Sequence, residues 1–385
     1  MATIRADASA RLTDTQMPSE REEIWRYLDL GFDPAFDTAP IEPGQADAPT
    51  DELLRAWSGS VIEVVDGFVP EGTTTTAGSD DPVNLGAGDD LFSVAFDALT
   101  PGALLLDESN LGEPVFVDVI ATSDKTTFPG VHVAVPKNAE ASVVVRMRSL
   151  TDAAAVVVPR ITADVGDNAR LALTVIQDWN YDTRALGRAV INVGRDSGLT
   201  LSEIGLGARI GRLHLDVNYV GDGSWGKIYG AYFGEEQQTL DYRYFMNHIG
   251  TNTRADMFLK GAVEDEAVSV FTGLIRIEET GRRTESFQTN RNLILSEGAS
   301  AQSVPNLEIL NNDVQCGHGS SVGPLDEDQR YYLMSRGLTP EVADRLQVRG
   351  FFTEALSEIP QSELEPYLRE RIVNKYLVAQ EEGRV

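Results

Sequence analysis

The chain has 385 residues, 42% of them hydrophobic, which is enough to bury a sizeable core. It carries 60 acidic against 32 basic residues, a formal charge of -28, and this balance excludes a phosphate-backbone surface and hence a nucleic-acid partner. A single cysteine, Cys316, excludes an intrachain disulfide framework and a metal site of four cysteines from this chain.

The N-terminus, MATIRADASARLTDTQMPSEREE, lacks the apolar core of a secretory signal, and no apolar run is long enough to span a bilayer. A cytoplasmic protein without a membrane partner is expected. Residues 1–55 read as an N-terminal helical segment and linker. Ser19 is placed as an N-cap, with Glu22 at capping-box spacing and Ile24, Tyr27 and Leu28 on one face of the helix. Gly31 and Pro34 end that helix, and DPAFDTAPIEPGQADAPTDE follows as linker.

Residues 56–113 read as mixed short strands and loops leading into the core. VIEVV is a strand followed by the turn pair Asp66–Gly67, EGTTTTAGSDDPVNLGAGDD is loop, and LFSVAFDALTPGALLL holds a short helix. From 114 to 323 short β-rich runs recur, each broken by Gly, Asp or Asn, and alternation marks many of them, as in Leu171, Leu173 and Val175. A weak repeat runs through this part, at 165–171, 193–199, 220–226 and 249–255; two further copies, at 263–269 and 296–301, break step. One such unit cannot close a core alone, whereas stacked units can. Irregular spacing argues against a propeller. Scarce hairpin dipeptides favour a right-handed parallel β-helix, a solenoid, over a large sandwich.

From 324 to 385 the period switches to 3.6 and a C-terminal helical domain is expected. Leu325, Tyr332 and Leu333 lead a helix closed by Arg336–Gly337. Thr339–Pro340–Glu341 opens another, with Val342, Leu346 and Phe352 on its apolar side. Leu364, Leu368, Ile372, Tyr376 and Ala379 form the stripe of a last helix. The fold class is therefore mainly β, a solenoid core flanked by helical segments.

Two further features bear on chemistry and setting. Five lysines stand against 27 arginines, and the acids are spread along the chain. Such a surface suits high salt, where charge repulsion is screened, as in a halophilic, acidic proteome. Cys316 and His318 stand two apart in D-V-Q-C-G-H-G, so in an extended strand they share a face. Thiolate and imidazole are both ligands for iron and other transition metals. For an arbitrary C-x-H, a structural cysteine beside a turn histidine is the commoner case, and two ligands need a partner to complete a site. His248 reads as bonding its own loop, and His132 and His214 as strand positions on one face. No G-x-S-x-G elbow or phosphate loop is present, so neither catalysis nor nucleotide binding by this chain is expected.

Several stretches, taken in order, resemble the SufB/SufD family of iron–sulfur cluster assembly proteins. They are P-S-x-R-E-E-x-W-R-Y-x-x-L (18–30), H-I-G-T-N-T-R-A-D-M-F-L-K-G (248–261), F-T-G-L-I-R-I (271–277) and R-N-L-I-L-S-E-G-A-S-A-Q-S-V-P-N-L-E-I (291–309). D-V-Q-C-G-H-G-S-S-V-G (313–323), D-E-D-Q-R-Y-Y-L-M-S-R-G-L (326–338) and G-F-F-T-E-A-L (350–356) continue the series. C-x-H-G is similar to the SufD branch. The SufB branch has a Glu beside the histidine and a cysteine further upstream, and neither occurs here. Gly317 stands where the family has serine or threonine.

The resemblance implies a non-catalytic SufD-like scaffold subunit in a complex with a SufB-like subunit and a SufC-like ATPase. His318, with Cys316 as a second candidate, would be a ligand to a transient iron–sulfur cluster shared across the subunit interface. Tyr331, Tyr332, Arg336 and Phe351 are docking candidates for the ATPase, set against a role in packing the helices. A SufB-like homodimeric scaffold, or a homodimer of the isolated chain, stands as the alternative. A carbohydrate-active β-helix enzyme is the third reading.

Overall fold

The computed structural model describes residues 2–31, 51–76 and 90–381. The strands in chain order are β1 (Ser60–Val65), β2 (Thr75–Thr76), β3 (Ala103–Leu106), β4 (Val115–Ala121), β5 (Thr126–Thr127), β6 (Gly130–Val135) and β7 (Glu140–Ser149). Then come β8 (Val156–Val157), β9 (Arg160–Val165), β10 (Arg170–Asp178), β11 (Arg184–Val193), β12 (Gly198–Gly205), β13 (Ile210–Tyr219) and β14 (Trp225–Gly234). The last are β15 (Thr239–His248), β16 (Arg254–Val263), β17 (Val268–Ile277), β18 (Thr284–Ile294), β19 (Ser300–Ile309) and β20 (Val314–Gly323). Helices are α1 (Ala2–Leu12), α2 (Glu52–Ala56), α3 (Leu91–Leu99), α4 (Glu327–Ser335), α5 (Pro340–Leu356) and α6 (Glu365–Glu381).

From β9 onward the chain alternates between two sheets, two strands per coil. One sheet runs β1-β4-β7-β10-β12-β14-β16-β18-β20 and the other β19-β17-β15-β13-β11-β9-β6-β3-β2. Every pair in these ladders is parallel except β2 with β3. This is the parallel solenoid that the recurring short strands predict. The ladder reaches down to β1.

The sequence repeat is one corner of the coil. Its first four copies are the turns from the second sheet to the first, stacked so that Gly194 N donates to Val165 O and Asp196 N to Asp222 O. Asn168, Asp196, Gly223 and Asn252 occupy equivalent positions there, all with φ between 55° and 71°. Glycine enters this left-handed region freely and Asn and Asp enter it more readily than other residues. The two copies that break step, 263–269 and 296–301, are turns at the opposite corner. On the second sheet a side-chain ladder links the coils: Asn247 Nδ2 donates to Asn218, Asn218 to Asn192, and Asn192 to Asp164, each at 2.9 Å.

Inward faces of both sheets meet in one apolar core, with Val143, Leu173 and Leu201 opposite Val133, Ile191 and Leu215. The outer face of the first sheet is covered by the C-terminal helices: Phe116, Ile204 and Phe233 pack with Phe352, Leu368 and Ile372. The stripe of α6 is buried at Leu368, Ile372 and Tyr376, as its period predicts; the side chain of Ala379 lies outside the described residues. Gln361 fixes this layer to the sheet, accepting from Thr174 Oγ1 at 2.5 Å and donating to Ala172 O at 3.2 Å.

Two expectations change. The helix expected after Ser19 is a single 3-10 turn, Glu23–Trp25, although Ser19 N does donate to Glu22 Oε1 at 3.1 Å. One turn is too short to hold itself as a helix. Tertiary packing decides instead: Trp25 is buried 3.9 Å beneath the Arg212 guanidinium, with Leu28 and Leu30 beside it. On α5 the buried face is Ala343, Val348, Phe352 and Leu356, whereas Leu346 is exposed. Val342 is half-buried, and of the expected face only Leu346 is exposed. Residues 32–50 of the expected linker, with Pro34, and 77–89 of the expected loop lie outside the described residues.

Candidate functional site

Cys316 and His318 lie on β20, the last strand of the first sheet, and the ladder fixes where they point. Cys316 continues the column Leu171–Leu199–Gly226–Ala255–Ser286, and His318 continues Leu173–Leu201–Ile228–Met257–Gln288. Both columns are inward faces of the solenoid. The shared face expected from their spacing is thus the inner one, at the open end. Cys316 is half-buried against the core, and burial pushes its thiol pKa up. His318 is exposed.

The opposite wall of this end is β19, whose inward residues Leu307 and Ile309 continue the Ile275 and Ile277 columns yet are exposed. Both strands are the outermost of their sheets, so each leaves one edge unpaired. Only Glu308 and Asp313 are acidic or basic among residues 300–323, in a chain that is 24% charged.

Polar groups fill the interior below. Glu203 on β12 is fully buried and its pKa is pushed up to about 7 by burial; it accepts from Gln177 Nε2 at 2.8 Å and Tyr244 OH at 3.0 Å. Nearer the end, Tyr232 OH donates to Asn292 Oδ1 at 2.5 Å, and Asn292 Nδ2 to Asn290 Oδ1 at 2.6 Å. His248 Nδ1 is 2.9 Å from Thr253 Oγ1, the loop bond expected of it, and Nε2 is 3.0 Å from Ser286 Oγ. His132 and His214 do share a face, the outer one of the second sheet.

Tyr331, Tyr332 and Arg336 come together on α4 and its C-cap. Tyr331 is 75% and Tyr332 56% exposed, and no α4 side chain is buried. Arg336 Nη2 donates to Tyr332 OH at 3.1 Å. Phe351 lies apart, half-buried on α5. There Lys260, a buried lysine of β16, donates to the Phe351 carbonyl and pairs with Glu354, both at 2.7 Å, with its ammonium 4.6 Å from the Phe351 ring centre.

Glu203, Lys260 and the His248–Ser286 pair were missed by motif reasoning. Glu203 carried a signal: it follows Leu199 and Leu201 in strict alternation, so an acid stands at a core position. Lys260 carried one too, being among only five lysines. Ser286 carried none, because its partner is 38 residues away.

Among the described residues no group of three or more His, Cys, Asp or Glu is placed to hold a metal ion, and no helix is long and apolar enough to cross a membrane. What fold and site define is a class: a parallel solenoid whose open end carries a thiol and an imidazole, with a helical layer along one sheet. Residues 119–351 match the family model "SUF system FeS cluster assembly, SufBD core domain". An iron–sulfur cluster assembly SufBD family protein of Mycobacterium bovis is 32% identical, covering 93% of this chain and 88% of its own length. The Escherichia coli assembly protein SufD is 26% identical over 90% of this chain and 87% of its own. Bacillus subtilis SufD is 36% identical over 37% of this chain and 33% of its own. The chain belongs to the SufBD family of iron–sulfur cluster assembly proteins, and a scaffold role follows from that membership.

Proposed function

We propose that this chain is a SufD-type subunit that pairs through the open end of its solenoid with a SufB-like subunit. His318, with Cys316 beside it, contributes to the site where a nascent cluster, the cargo, is assembled. The observation that carries this reading is the uncapped last coil: two unpaired strand edges, exposed apolar Leu307, Ile309 and Val322, and few charges. Exposed strand edges are normally blunted or covered, and loss of charge marks the core of an interface. A second solenoid laid end to end would cover both edges and supply the ligands that two side chains cannot.

The exposed tyrosines and Arg336 of α4 are the docking surface for a SufC-like ATPase. Tyrosine and arginine are the side chains that dominate such contacts. Lys260 then links that helical layer to the strands next to β20, since its register partner Arg291 is in turn paired with Ser321.

In the complex reconstituted with both partners, His318→Ala lowers cluster yield at least ~10-fold while the subunits still co-purify. An unchanged yield overturns the role of His318. Recovery of this chain from its native cell extract without an ATPase or a cysteine-bearing paralogue, yet with iron and sulfide, favours the homodimeric alternative.

A further inference from the structure

α5 is a strut with two polar clasps. It rests on the first sheet through Val348, Phe352 and Leu356, all buried. Apolar burial is non-directional, so it holds a helix against a sheet without fixing its slide or its roll. Lys260 of β16 fixes both. Its ammonium donates to the backbone carbonyl of Phe351 at 2.7 Å, which sets the helix along its axis, and pairs with Glu354 at 2.7 Å, which sets its roll. Arg291 of β18 approaches the same carboxylate at 3.9 Å. The rings of Phe258 and Phe351 lie beside the ammonium, their centres 5.4 and 4.6 Å away.

The second clasp is nearer the start of α5. Asp344 pairs with Arg330 of α4 at 2.8 and 2.9 Å, and Gln347 Oε1 accepts from Asp326 N, at the cap of α4, at 3.1 Å. Asp344 and Glu354 are about 15 Å apart along the axis and about 80° apart around it. α4 buries no side chain of its own, so it takes its place from α5. Gln361, Arg371 and Lys375 tie the rest of the layer to Thr174, Asp178 and Glu235, all from beyond α5. An apolar side chain of similar size would hold the layer to the sheet as firmly as a buried ion pair does. Stability alone therefore does not account for an ammonium at position 260.

We infer that Lys260 is a positioning residue for the exposed face of α4, acting through α5. This deepens the docking role proposed for Tyr331, Tyr332 and Arg336 and rests on it.

Amide hydrogen exchange on the full-length chain tests the positioning without a partner. In Lys260→Met the amides of α4, which Lys260 does not touch, exchange about 5-fold faster, while the thermal midpoint stays within about 3 °C of wild type. Glu354→Ala, at a side chain 60% exposed, moves α4 the same way by less, and decides the matter if the buried variant folds poorly. Once Asp344→Asn has cut α4 from α5, Lys260→Met adds little to α4 exchange. Faster exchange confined to β16 and residues 351–356, with α4 as in wild type, makes Lys260 a local packing contact and overturns the inference. With the purified SufC-like ATPase, Lys260→Met weakens binding to the full chain ~10-fold at an unchanged midpoint. Wild-type affinity overturns the inference where replacing Tyr331 and Tyr332 together by Ala does abolish binding. If that pair can be removed without loss, the docking reading fails, and the exchange result alone decides whether Lys260 positions α4.

Discussion

The early and late coils of the solenoid share one backbone ladder and differ in what they enclose. A single register column shows it: Val115, Val143, Leu173, Leu201 and Ile228 lead to Met257, Gln288 and His318. The early coils are filled by Val, Leu, Ile and Ala, while the late coils hold Tyr232, Tyr242, Tyr244, His248, Ser286, Asn290 and Asn292. Backbone hydrogen bonds tolerate either filling, because every strand pairs with its neighbours whatever its side chains do. Apolar burial supplies stability, and buried polar groups supply fixed positions once they are paired. The early coils therefore serve as foundation and the late coils as the support of the candidate site.

The sharpest way to break this comparison is to cut the same column at two heights. Leu173→Ala costs about 2–5 kcal/mol by leaving a cavity in the dry half. Gln288→Met, in the late coils, stays within about 1 kcal/mol, since an apolar group of similar size replaces the amide. Denaturant midpoints for the two variants test this directly, and equal losses would abolish the distinction.

Glu203, where the interior turns polar, gives the next largest effect. Its folded pKa of about 7 stands above the ordinary value of 4.5 because burial penalises the charge. Its contribution to stability is fully present below about pH 4.5 and is lost as pH rises to about 7. Above that the penalty is constant, on the order of 3 kcal/mol. Glu203→Gln removes this slope and raises stability at pH 8, as a pH series of unfolding curves would show.

Glycine sets the third contrast. A Cβ on Gly261 would lie 2.1 Å from the Tyr232 ring, whereas one on Gly319, at the open end, meets nothing within 4 Å. Gly261→Ala costs about 1–3 kcal/mol by overpacking. Gly319→Ala has the smallest effect, within about 0.5 kcal/mol. Thermal midpoints of the two variants separate an interior that is full from an end that is free.

Much of the fold was legible because its signals are local. Alternation placed the strands, and turn residues recurred at a little under thirty residues, so stacked coils followed. Arg336–Gly337 marked the end of α4, where Gly337 has φ 92°; the cap at its start, Asp326 Oδ1 accepting from Gln329 N at 2.9 Å, came from the structure. The Ser19 segment misled because its capping pattern is real but its partners, Arg212 above all, come from far along the chain. Cys316 and His318 were legible as a pair from spacing. Their inward direction was not, since that depends on a register set by the eight strands that precede β20 in its sheet.

The asparagine ladder adds a consequence for how the molecule is made. Each amide, at Asn247, Asn218 and Asn192, donates to the coil that left the ribosome before it, ending at Asp164. Along this ladder a newly synthesised coil thus finds its side-chain acceptor already in place. Such a ladder is compatible with coils being added in order from the N-terminal side as the chain is made. The coil that carries Cys316 and His318 is completed last, so the thiol and imidazole take up their places only on a scaffold that is already built.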